Sequence, residues 1–182
     1  MRASVAESPV SLGPLEHEDA LVVRRWLGVF LRQHNRAWVN VRGLGWSDAE
    51  IDAQVVATDL VMDHWTWLLR AAGRDSSIVR IARVDGVPVG CVSASARLDD
   101  YLRTHTGVLD WVYVDPSARG HRIGTLLVDT ARTWMRGRGL RSVVVNVLAD
   151  NEPAMALYRS AGLAVADVRM MGSLLGTDDV KA

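Results

Sequence analysis

The chain has 182 residues, enough for one domain with a substantial core, and its 49% hydrophobic and 23% charged residues are the ordinary balance of a globular protein. The formal net charge of +0 gives no support for a general nucleic-acid surface or an acidic partner. A single cysteine, Cys91, excludes a disulfide framework and a cysteine-built metal centre, so no metal site is expected.

The apolar stretch "ALVVRRWLGVFL" is broken by Arg24 and Arg25 and is too short to span a bilayer, so a soluble cytoplasmic protein without a membrane partner is expected. After a loose N-terminal end, a short strand is predicted at Val10 to Leu12. Apolar residues then recur at helical spacing from 18 to about 33. "SDAE", with Ser47 and Glu50, is a capping box, and it opens a helical pattern that runs to near Gly73. "SSIVRIARV" and "VPVGCVSASA" read as strands joined at Asp85-Gly86, a tight-hairpin signal. "TGVLDWVYV" is a third strand, ending at Val114. A helix is predicted from about Gly124 until Gly137 and Gly139 stop it. "RSVVVNVL" reads as a buried strand. "DNEPAMALYRSAG" reads as a short helix with Pro153 in its first turn and Gly162 as its stop, and "LAVADVRMMGSLL" supplies one or two last strands. The order implies a mixed α/β (α+β) domain spanning 1–182, with a mostly antiparallel central sheet flanked by helices.

The stretch "DPSARGHRIGTLLVD" places a glycine-bearing turn between a strand and a helix. Such a turn exposes backbone amides at the positive end of the helix dipole, where phosphate oxygens bind, and Arg119, His121 and Arg122 add charge there. Gly120 and Gly124 permit close backbone approach. A solvated basic turn is the plainer alternative. No Gly-Lys-Ser/Thr is present, and the glycine spacing is not that of a dinucleotide fold.

"VYVDPSARGHRIGTLLVDTA" followed by "LRSVVVNVLADNEPAMALYRSAGL" resembles the GCN5-related N-acetyltransferases, which use acetyl-CoA, and the resemblance covers about residues 76–168. The family's pyrophosphate signature is Gln/Arg-x-x-Gly-x-Gly/Ala. Arg119 and Gly124 match it, while Arg122 stands where the middle glycine is usual. The resemblance implies that backbone groups of Val112 and Val114 pair with the pantetheine arm. It gives the amides of Arg119, Gly120, His121, Arg122, Ile123, Gly124 and Thr125 to the pyrophosphate, and places Asn151 and Tyr158 beside the cofactor. It also implies Tyr158 as general acid and the Val112 amide as donor to the developing oxyanion. Family members are often dimers, so a homodimer is allowed.

Asp110 is a carboxylate in an otherwise apolar strand, and simple alternation puts it on the face of Val112 and Val114. It is the candidate base, with an ordinary solvent-facing position as the alternative. Tyr158 shares a helical face with Ala154, Leu157 and Ala161, so a core role is its alternative. Asn146 could only orient substrate or water, and His34 and His105 are weaker candidates. Trp26, Trp38, Trp46, Trp65 and Trp67 lie in the region that helps wall the acceptor site in the family, where aromatic faces could receive a flat or cationic amine, with plain core as the alternative for residues at helical spacing. Asp48, Asp52, Asp59 and Asp63 could attract the same cation, with a solvated helix face as the alternative. The acceptor class is a small-molecule amine or a protein or peptide amine. From another class of function, a non-catalytic acyl-CoA sensor or interaction module fits the same motif.

Overall fold

The computed structural model describes residues 9–174. They fall into two compact units, one formed by the chain up to Val22 with Leu68–Asn146, the other by Val23–Trp67 with the chain from Val147 on.

The first unit holds the sheet. Strands β1 (Val10–Gly13), β2 (Ser77–Val84), β3 (Val87–Leu98), β4 (His105–Val114) and β5 (Val143–Val145) lie in the order β1-β2-β3-β4-β5. All neighbouring pairs are antiparallel except β4 with β5, which is parallel. The hairpin between β2 and β3 turns at Asp85 and Gly86, whose φ of 50° and 79° match the primed turn that suits twisted strands. Helix α4 (Ile123–Gly137) presents Ile123, Leu127, Ala131 and Met135 as one buried stripe, at intervals of about one turn. Two glycines let it come down onto the sheet. A Cβ on Gly90 would meet Leu127 and Ile123 as well as the Tyr113 carbonyl, and one on Gly107 would meet Met135.

The second unit is helical. It contains most of α1 (Ala20–Arg42), α2 (Asp48–Ala57), the first turns of α3 (Leu60–Ala72), and α5 (Glu152–Ser160). Helix α1 runs to Arg42, well past the expected end near 33, because nothing breaks it before Gly43, whose φ is +64°. The single helix expected from 47 to 73 is two. The Thr58 hydroxyl donates to the Gln54 carbonyl at 2.7 Å, and Asp59 takes φ 50°, a left-handed turn that aspartate tolerates. The Ser47–Glu50 capping box forms as read, with Glu50 held below its ordinary pKa by the Ser47 amide and hydroxyl.

Two expectations fail at the end of the chain. Strand β5 has three residues rather than the eight of "RSVVVNVL", and Asn146 lies outside it and exposed. No strand forms in 163–174 among the described residues, although the apolar pattern there suggested one or two.

Candidate active site

Strand β4 changes character at Asp110. Before it, Gly107, Val108 and Leu109 pair with Ala96, Ser95 and Ala94 of β3 on one edge, and with Val143, Val144 and Val145 of β5 on the other. On the β3 side the register then jumps. Leu109 faces Ala94, but Trp111 faces Ser93, so Asp110 is an extra residue, a β-bulge. On the other side β5 ends, and among the described residues no strand pairs with 110–114 along that edge.

The bulge sets what this unpaired edge offers. The Asp115 amide donates to the Val89 carbonyl of β3 at 2.9 Å. Backbone groups alternate sides along a strand, so the N–H and C=O of Val114 and Val112 point away from β3. The Val114 carbonyl accepts from Arg119 Nε at 3.3 Å. Residues 112 and 114 therefore present backbone groups in the pattern that an extended chain would need to lie alongside.

Beyond β4 the chain turns through Pro116–Ala118 into α4. Arg119, Gly120, His121 and Arg122 are all exposed. Gly120 has φ +85°, which requires glycine. Arg122 is the N-cap of α4 at φ 58°, ψ 13°, with no side-chain cap. The left-handed conformation explains why glycine is usual at this position, and arginine holds it at a cost of about 1–2 kcal/mol. The first helical bond runs from the Leu126 amide to the Arg122 carbonyl at 3.0 Å. The amides of Ile123, Gly124 and Thr125 thus precede the ladder, at the positive end of the dipole.

Asp110 lies on a different face from the one alternation predicts. Gly90, opposite Val114, and Gly107 both look toward α4, and so do Val112 and Val114. Arg97 and Ser95 occupy the opposite face, and Arg97 Nη2 pairs with Asp110 Oδ1. The extra residue in the bulge breaks strict alternation and turns the carboxylate away from α4. Its side chain is 4% exposed. Burial pushes the Asp110 carboxyl above its ordinary value, while the Ser95 hydroxyl and the Arg97 charge pull it back. Ser95 and Arg97 went unnoticed in the sequence. The signal was their two-residue spacing in "SASAR", which places both on one face once β3 is paired.

In the second unit, Asn151 is the N-cap of α5, its Oδ1 accepting from the Ala154 amide at 3.2 Å, with Pro153 in the first turn. Tyr158 is buried in α5, and burial pushes its phenol up to about 12, so it carries its proton throughout the physiological range. Burial lowers the pKa of His34, and its Nδ1 donates to the Phe30 carbonyl at 3.2 Å. His105 is exposed at the start of β4.

The tryptophans divide. Trp26 and Trp65 are buried core, whereas Trp38 and Trp46 line a pocket of about 240 Å³ with Leu44, Asn35, Gln54 and Arg42. Arg42 stands over the Trp38 ring at 5.4 Å. No carboxylate lines this pocket. Asp48 and Asp52 lie on a solvated helix face, paired with Arg36 and Arg32 across α1 and α2, and Asp59 forms the break between α2 and α3. Cys91 is fully buried, and burial pushes its thiol well up, which makes it a poor nucleophile.

A mixed five-stranded sheet, a parallel pair that parts at a bulge, and a glycine-bearing turn into a helix together define the acyl-CoA N-acyltransferase type of fold. Residues 38–163 match the model of the Acetyltransferase (GNAT) family, and the chain belongs to that family. It is 28% identical over 106 residues to an uncharacterised N-acetyltransferase of Methanocaldococcus jannaschii, an alignment covering 58% of this chain and 46% of the relative. It is 32% identical over 81 residues to a mycothiol acetyltransferase of Catenulispora acidiphila, covering 43% of this chain and 26% of the relative. The chain thus spans less than half the length of either relative. The structure of the PaiA N-acetyltransferase of Thermoplasma acidophilum in complex with coenzyme A superposes with a TM-score of 0.66 at 16% identity, covering 88% of this chain and 93% of that one. Among the described residues no helix is long and apolar enough to cross a membrane.

Proposed function

We propose that the chain acts as one domain, 1–182, and is an acetyl-CoA-dependent N-acetyltransferase that moves an acetyl group directly to a primary amine of a small molecule or of a protein or peptide. The observation that carries this reading is the edge of β4 at Val112 and Val114, left without a strand partner among the described residues and followed, after the 115–122 turn, by the uncapped N-terminus of α4. The strand edge suits an amide-bearing pantetheine arm, and the helix amides with Arg119, His121 and Arg122 suit a pyrophosphate. The coenzyme A bound to the Thermoplasma protein supports the same assignment by likeness.

In this reading the Val112 N–H donates to the thioester oxygen as negative charge develops there. The amine must be neutral to attack. Asp110, directly or through one water, takes its proton as the C–N bond forms. The C–S bond breaks, and Tyr158 returns a proton to the sulfur, which its raised pKa suits since the phenol is protonated before each turnover. Asn151 contributes near the pantetheine while capping α5. Transfer is direct, and the buried, protonated Cys91 offers no route through an acetylated enzyme.

Thermal unfolding tests the reading first. Acetyl-CoA at a hundred times its dissociation constant stabilises a two-state fold by about 2.7 kcal/mol, a rise of several degrees. Release of free thiol with an amine panel then reports turnover. Tyr158→Phe is expected to cut turnover and leave acetyl-CoA stabilisation intact. Stabilisation without turnover on any amine would make the chain an acyl-CoA-binding module, and unchanged turnover in the variant would remove the role given to Tyr158.

A further inference from the structure

The face of β3 turned away from α4 carries polar side chains at every second residue, Ser93, Ser95 and Arg97. Ser93 is fully buried, and its hydroxyl has no hydrogen-bond partner among the described residues. Asp110 Oδ2 is buried and likewise without a partner. Both atoms stand at the bulge, since Ser93 pairs with Trp111, the residue after Asp110. Oδ1 is taken by Arg97, whose Nε donates to Ser95 Oγ at 3.0 Å. Buried polar atoms are almost always satisfied, and a wall built only for packing would be apolar here. Two unsatisfied oxygens stand at the bulge, both closed off from solvent, beside a carboxylate held through its other oxygen, so a donor brought there finds acceptors already stripped of water.

We infer that the β3 wall receives the acceptor nitrogen: Asp110 Oδ2 and Ser93 Oγ accept its hydrogen bonds, and Arg97 is the positioning residue that holds the carboxylate through Oδ1. The inference rests on the acetyltransferase reading and narrows its substrate class. A primary amine brings several N–H donors to single acceptor atoms. A guanidine or amidine instead binds a carboxylate through two parallel bonds, and Arg97 already occupies one of the two oxygens. The site therefore selects alkylamines against guanidines and amidines of the same size. Arg97 has a second effect. Among the described residues it is the charged group acting on Asp110, β5 contributing only valines, and it keeps the buried carboxyl ionised to lower pH.

The test uses the full chain labelled at aspartate Cγ, with benzylamine and benzamidine as probes and carbon NMR as the readout, the Asp110 signal being identified by its loss in Asp110→Asn. Benzylamine is expected to move that signal and benzamidine to leave it. Ser93→Ala should weaken benzylamine binding about fivefold, the worth of one neutral hydrogen bond. Arg97→Gln should raise the pH at which Asp110 titrates, with Arg97→Lys restoring most of it. An unmoved signal with benzylamine, equal binding of benzamidine, or an unchanged titration in Arg97→Gln would each overturn the inference. Acetyl-CoA stabilisation, measured on the same samples, shows that the variants are folded and reports separately on the acetyltransferase reading. Stabilisation with a silent amine titration removes the inference alone, whereas its absence from the unaltered chain removes the reading.

Discussion

The two halves of β4 are made of similar residues and do opposite things. From 105 to 109 the strand is paired on both edges at 107–109, and its Gly107 accepts the close approach of Met135. From 110 to 114, among the described residues, it is paired on one edge only, and the other edge carries the backbone groups of Val112 and Val114. One inserted residue separates the halves. Asp110 shifts the register against β3 and carries its carboxylate to the face of Ser95 and Arg97. A strand half paired on both edges and a half with one open edge thus meet at a single local irregularity, and β-bulges commonly lie beside sites.

The most severe way to break this contrast is to delete Asp110. Leu109 already faces Ala94 and Trp111 already faces Ser93, so the deletion leaves 105–109 and 111–114 on their present faces while removing the bend of the bulge and the carboxylate together, and a thermal melt should show acetyl-CoA stabilisation weakened, with all thiol release lost. Asp110→Asn keeps the bulge and removes only the ionisable group. It is expected to lower kcat/KM for any amine the panel identifies by about a hundredfold or more, the usual worth of a general base, with acetyl-CoA stabilisation retained. The pH profile sharpens the same point. Asp110 must be ionised to accept a proton, so activity falls as pH drops through its pKa. Burial raises that pKa above the ordinary value, so the acidic limb lies at higher pH than an exposed aspartate would give, and the limb should be missing from the residual activity of Asp110→Asn.

Gly107→Ala probes the paired half. Its methyl group would meet the Met135 side chain, and because that side chain is flexible the expected loss is about 1–2 kcal/mol, read as a lower unfolding temperature with unchanged acetyl-CoA affinity. The smallest effect is Arg122→Gly. Relief of the left-handed arginine at φ 58° should outweigh the added freedom of the unfolded chain and stabilise the fold by up to about 1 kcal/mol. Its acetyl-CoA affinity, followed against salt, separates the Arg122 charge from the loop geometry: a fall with a shallower salt dependence assigns the charge a role, and an unchanged affinity leaves the contribution to the amides.

The hairpin, the α4 stripe and the turn into α4 were legible because each is a local pattern: Asp85-Gly86 for the turn, one apolar residue per helical turn, glycines around a basic loop. The break between α2 and α3 was not, because Thr58 and Asp59 act through a side-chain hydrogen bond and a left-handed φ that leave the apolar periodicity nearly intact. Of the two readings of the aspartates, a cation attractor and a solvated helix face, Asp48 and Asp52 take the second for a related reason. Asp48 and Asp52 carry the right charge, but Arg36 and Arg32 lie opposite them once α1 and α2 are side by side.

The amino-acid order by itself determined most of the elements, the glycine-bearing basic turn before α4 and the family likeness, since these depend on spacing along the chain. Only tertiary structure decided which edge of β4 stays unpaired, which face Asp110 takes and that Ser93, Ser95 and Arg97 stand with it. Those depend on register between strands that meet from distant parts of the sequence, and a shift of one residue in register exchanges one face of a strand for the other.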